Sequence, residues 1–141
     1  PARINKLITT GQLCAFVQCH PDSARLYEKM QQQRQTAHEM GAQFVPEWSA
    51  YYPVLLSHLD HPPPLLHALG NLDLLNHQPP AVAIIGARAC TAYGREQAKS
   101  FGKSMAFAQE TIISGAARGI DMISMQASVN AGGKVIAVLG S

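Results

Sequence analysis

The chain has 141 residues, about one domain's worth, of which 47% are hydrophobic and only 14% charged, where about 25% is ordinary for a soluble domain. So few charges exclude a disordered polyelectrolyte, and the absence of any run of about 18 apolar residues excludes a membrane span. The net charge of +2 is unevenly placed: residues 1–80 carry five Lys/Arg against six Asp/Glu, and residues 81–141 carry six (Arg88, Arg95, Lys99, Lys103, Arg118, Lys134) against three (Glu96, Glu110, Asp121). All six histidines fall in the first 80 residues, so the basic part has no imidazole for acid–base chemistry. Three cysteines (Cys14, Cys19, Cys90) and no apolar leader core make a cytoplasmic chain without a disulfide framework the expectation. Cys14-x4-Cys19-His20 lacks the second half-site that a zinc clip needs, and no metal or cofactor is expected.

In chain order, apolar residues at helical spacing from Ile4 to Val17 predict a first helix. A second opens near Pro21 and Asp22, carries Leu26, Tyr27, Met30, Ala37 and Met40, and stops at Gly41. Residues 42–45 predict a short strand ended by Pro46. Val54 to Leu59 predict a helical turn or two, and Pro62-Pro63-Pro64 breaks regular structure by removing donors and fixing φ. Residues 1–40 thus form an N-terminal helical segment, and residues 41–141 begin a different domain.

That domain is the clearest pattern in the chain. Three apolar runs, 81–85, 111–113 and 134–139, alternate with two helical stretches. One helix carries Ala98, Phe101 and Met105 on one face, and the other carries Ile120, Ile123 and Ala127. Strand–helix–strand–helix–strand with continuous apolar strands predicts an α/β fold: a Rossmann-like, three-layer α/β/α arrangement with a partial parallel sheet, preceded by the small helical segment. Three strands make a small sheet, so the chain reads as the front of a longer domain.

Right-handed crossovers bring the loops after the strands to one edge of the sheet, where open α/β sheets bind ligands. The first loop, Gly86-Ala87-Arg88-Ala89-Cys90-Thr91, is neither GxGxxG nor a Walker A loop. It offers a glycine at a strand end, a guanidinium two residues on, and in Thr91 a cap for the next helix. The second, Ser114-Gly115-Ala116-Ala117-Arg118-Gly119-Ile120-Asp121, offers a hydroxyl, glycines, a guanidinium, and in Asp121 a group that caps or orients. Helix N-termini and arginine forks both favour phosphate. The candidate phosphate-binding residues are Gly86, Arg88, Thr91, Ser114, Gly115, Arg118, Gly119, Asp121 and Lys134. Tyr93 is a further candidate for base stacking.

The ordered motifs Tyr52-Pro53-Val54-Leu55-Leu56, Asp60-His61-Pro62-Pro63, Leu66 through Gly70, Val82 to Arg88, Thr91-Ala92-Tyr93-Gly94, Ser114 to Asp121 and Gly132 to Gly140 resemble the DNA-processing protein A family, DprA or Smf, over residues 42–141. The resemblance implies a Rossmann-like domain that binds single-stranded DNA, protects incoming strands in natural transformation and helps load the RecA recombinase. It implies that Arg88 and Arg118 face DNA phosphates, and that a homodimer forms through parts of the family's core not seen here. Ala87, Ala116 and Met125 depart from the family's usual serine, leucine and histidine, and Gln109-Glu110 lacks its usual glycine. No paired carboxylates or nucleophile–histidine pair lies in the basic part, so a non-enzymatic DNA-binding module is the leading reading. The alternatives are a nucleotide-binding enzyme acting on phosphoribosyl compounds and an incomplete structural fragment.

Overall fold

The structure is a computed structural model that describes residues 23–76 and 81–139. The expected first helix, with Cys14, Cys19 and His20, lies outside the described residues, as do the side chains of Leu26, Tyr27 and Met30. The chain forms two compact units, one of residues up to Val45 with Leu65–Gly70, the other of Pro46–Pro64 with Asn71 onward. Among the described residues no helix is long and apolar enough to cross a membrane.

In the first unit, helix α1 spans Ser23–Glu39, and strands β1 (Gln43–Pro46) and β2 (Leu65–Ala68) pair in a two-stranded sheet. Ala37 and Val45 are buried. The rings of Phe44 and His67 meet edge to face at 4.9 Å, a favourable arrangement of the ring quadrupole. Gly41 ends the helix, as the sequence predicts.

The second unit begins with a single-turn helix α2 (Val54–Ser57) and a 3-10 turn over Leu72–Asn76. Asn76 joins these segments: its carbonyl oxygen accepts from the Val54 N–H (3.0 Å), and its amide donates to the carbonyls of Tyr52 (3.0 Å) and Ala50 (3.3 Å). Tyr52 is buried and donates its hydroxyl to the Pro63 carbonyl at 2.7 Å. Burial, with the nearby Glu47 carboxylate, raises the Tyr52 pKa above the usual tyrosine value, since both disfavour a phenolate.

The parallel sheet follows in the order β3 (Val82–Ala83), β4 (Thr111–Ser114), β5 (Lys134–Ala137), with Ile112 opposite Val82 and Val135, and Ile113 opposite Ala83 and Ile136. Helices α3 (Ala92–Phe107) and α4 (Ile120–Asn130) make the two crossovers. Right-handed crossovers between strands in sequential order place both helices on one face of the sheet, and the two pack along each other. This is the mixed α/β, Rossmann-like architecture with a parallel sheet that the pattern predicts, and of the expected three layers the described crossover helices form the one on a single face. β4, flanked on both edges, is the buried strand: Thr111, Ile112 and Ser114 are all buried, whereas Val82 and Ile85 are exposed.

The contact between α3 and α4 differs from the predicted apolar faces. The buried residues of α3 are Ala98, Gly102 and Ala106, while Phe101 is exposed; α4 buries Asp121, Ser124, Met125, Ala127 and Ser128. Small residues four apart let the helices approach until a β-carbon on Gly102 would overlap the Ser124 carbonyl oxygen. An interface this close selects for small size rather than hydrophobicity, so it keeps Ala98 and Ala127 of the predicted faces, adds Gly102, Ala106, Ser124 and Ser128, and leaves Phe101 out.

The three long helices among the described residues end in the same double turn. The N–H groups of Gly41 and Ala42 donate to His38 and Ala37, those of Gln109 and Glu110 to Ala106 and Met105, and those of Gly132 and Gly133 to Val129 and Ser128. This Schellman arrangement needs a left-handed residue. Gly41 (φ 72°) and Gly132 (φ 79°) supply it freely, but α3 uses Gln109 at φ 59°, where the β-carbon is strained. Gln109→Gly is therefore expected to stabilise the protein by about 1 kcal/mol. The readout is a higher urea midpoint at unchanged m-value; an unchanged or lower midpoint would contradict it.

Candidate functional site

The first loop leaves β3 at the edge of the sheet. Backbone pairing runs one residue beyond the strand, with the Ile84 N–H donating to the Ile113 carbonyl at 3.1 Å. Ser114, buried at the end of β4, donates its hydroxyl to the Ile84 carbonyl at 2.6 Å. The hydroxyl expected at a ligand is thus occupied in binding the start of one loop to the end of the neighbouring strand.

Two contacts then join the loops directly. The Gly86 N–H donates to Asp121 Oδ1 (3.0 Å), and the Ile120 N–H donates to the Ala87 carbonyl (3.3 Å). Asp121 sits in the first turn of α4, where a carboxylate is favoured by the helix dipole, and it is buried. Its Oδ1 holds the start of the first loop in place. A β-carbon on Gly86 would stand 2.7 Å from Ile120 Cβ, and one on Gly119 would overlap the Ala87 carbonyl oxygen. Both glycines are therefore required by the approach of one loop to the other. Gly115 is exposed and its open side faces Asp121 Oδ2, with a built β-carbon at 3.4 Å.

Thr91 caps α3 as expected, its Oγ1 accepting from the Gly94 N–H at 3.1 Å. Past the cap, Arg88, Arg95 and Arg118 line one open groove of about 520 Å³ with Ala89, Cys90, Gly119, Met122 and Ile123. All three arginines are exposed, none forms an ion pair with a described residue, and the lining contains no carboxylate. The sequence reading places Arg88 and Arg118 together but leaves out Arg95, one helical turn beyond the Thr91 cap. Its signal is a lone cation in a first turn that holds no acidic residue, the end where the dipole disfavours positive charge.

Lys134 is not brought to this groove. It is the first residue of β5, in register with Thr111, while the loops follow Ser114 at the other end of β4, about 10 Å along the strand. Tyr93 is 75% exposed on the first turn of α3 but does not line the groove. Met125 is buried, so that departure from the family pattern adds to the core. Among the described residues no His/Cys/Asp/Glu cluster could hold a metal ion.

These features define a Rossmann-like α/β module with a cationic groove at the carboxyl ends of its strands. The family model for DNA recombination-mediator protein A matches residues 43–141, and the chain belongs to that family. It is 44% identical to the DNA processing protein DprA of Streptococcus pneumoniae over 92 residues, covering 64% of this chain and 31% of that protein. It is 33% identical to DprA of Bacillus subtilis over 115 residues, covering 82% and 38%. Among solved structures, S. pneumoniae DprA matches with a TM-score of 0.65 at 32% identity, over 87% of this chain and 44% of that one. Helicobacter pylori DprA, described for its single-stranded DNA binding mode, matches at 0.57 and 27% identity, over 67% and 41%. The chain therefore spans about a third of the length of these curated relatives.

Proposed function

We propose that this chain binds single-stranded DNA through the groove between its two glycine–arginine loops, acting without catalysis within the recombination work of its family. The observation that carries the reading is the convergence of Arg88, Arg95 and Arg118 on one groove that no carboxylate lines. Guanidinium forks match phosphate oxygens in charge and shape, and the groove's open form admits a strand. Residues 41–141 carry this activity. For the whole protein, the proposed partners are the RecA recombinase, loaded onto the bound strand, and a second copy of the chain in a homodimer.

Fluorescence anisotropy of a labelled oligo-dT tests the reading. The three groove arginines are expected to contribute about −2 to the log–log salt slope, at about −0.7 per phosphate on single strands. Arg88→Ala and Arg118→Ala should each weaken binding by roughly 1.5–3 kcal/mol and make the slope shallower. Salt-independent binding, or binding of a nucleoside monophosphate in place of the strand, would overturn it.

A further inference from the structure

We infer that the strand's path continues from the groove along α3, on a cationic rail formed by Arg95, Lys99 and Lys103; this rests on the DNA-binding reading above. The three residues are four apart in one helix, so they recur on one side of it, and the rise of about 1.5 Å per residue makes the rail about 12 Å long. All three are exposed, while the buried face of the helix belongs to Ala98, Gly102 and Ala106. Arg95 also lines the groove, so rail and groove share a residue and form one continuous cationic track.

Glu96 is the acidic residue beside this rail. Its carboxylate accepts from Lys99 Nζ at 2.8 Å. Its pKa is lowered first by that hydrogen bond and the Lys99 charge, and further by Arg95 and Lys103, so one carboxylate lies within the field of all three cations. An exposed pair of this kind is weak and exchanges readily for a phosphate. The ligand is the internal phosphodiester backbone of a single strand, which presents one charge per nucleotide along such a track.

The test compares short and long oligonucleotides on the full 141-residue chain. With dT12, Arg95→Ala and Lys103→Ala should each weaken binding several-fold and reduce the salt slope by about 0.7, whereas with dT3 Lys103→Ala should change nothing. Lys103→Arg should retain the wild-type slope. Glu96→Gln should tighten dT12 binding several-fold, a gain that misfolding does not produce. Arg95→Ala removes a cation from the positive end of the helix, so its helical circular dichroism should persist. If dT12 binding responds to Arg88→Ala but not to Lys103→Ala or Glu96→Gln, the rail is refuted and the groove reading stands. A requirement for a 5′-phosphate on the oligonucleotide would also refute the rail, and no binding of dT12 by the unaltered chain would overturn both readings.

Discussion

Gly119→Ala is expected to destabilise the protein by about 4 kcal/mol, through two costs of comparable size. Gly119 has φ 100° and ψ −134°, a conformation essentially reserved for glycine and worth roughly 1–3 kcal/mol against any other residue. The new methyl would also overlap the Ala87 carbonyl oxygen and lie 2.7 Å from the Arg88 oxygen and 2.8 Å from its Cα. These are backbone atoms that no rotamer change moves aside, and overpacking of this kind costs about 1–3 kcal/mol. For a chain of this size the melting temperature should fall by roughly 10–15 °C, read by circular dichroism. Gly132→Ala is the control: its φ is +79° but nothing lies within 4 Å of the added carbon, so only the backbone cost of about 1 kcal/mol applies. Equal losses at the two positions would show that the loops do not pack as described.

Asp121→Ala should cost about 2–3 kcal/mol, the worth of a charge-assisted hydrogen bond together with a donor left unmatched. The lost bond is the 3.0 Å contact from the Gly86 N–H, which positions the loop carrying Arg88. Asp121→Asn keeps an acceptor and should lose roughly 1 kcal/mol, including part of the 0.3–1 kcal/mol from the helix dipole. Binding of oligo-dT distinguishes an orienting carboxylate from one at the DNA. A carboxylate at the strand would repel phosphate, so its removal would tighten binding. The buried orienting role predicts the reverse: weaker binding by both variants, with the salt slope unchanged in Asp121→Asn because no phosphate contact is lost. Tighter binding by Asp121→Asn would refute the assignment.

The alternation of apolar runs with helical stretches is legible in the sequence because parallel strands under crossover helices must be apolar on both sides. It locates β3, β4, β5, α3 and α4, and the loops with Arg88 and Arg118 follow from the single handedness of the crossovers. The glycines are legible as tight positions, but not the reason for them: Gly86 and Gly119 read equally well as phosphate-approach residues and as loop-packing residues. Ser114 and Asp121 are polar residues in a ligand-facing stretch of sequence, and only coordinates reveal that their oxygens are already bonded to the first loop. Lys134 appears beside the site in composition and charge, yet strand direction places it at the opposite end of the sheet.

By itself, the sequence determined the class of fold, the edge of the sheet where the two glycine–arginine loops emerge and the cationic character of that edge. These follow from local pattern: hydrophobic period, strand-end glycines and the sign of the charges nearby. Only the tertiary structure decided which polar groups hold the loops together, added Arg95 to the groove lining, and put Gly102 and Ala106 beside the predicted Ala98 on the buried face of α3 in place of Phe101. The physical reason is that hydrogen-bond partners and close helix approach depend on residues 20 to 35 positions apart, as in Ser114 with Ile84 and Asp121 with Gly86. No periodicity within a single helix or loop encodes which of those distant atoms will meet.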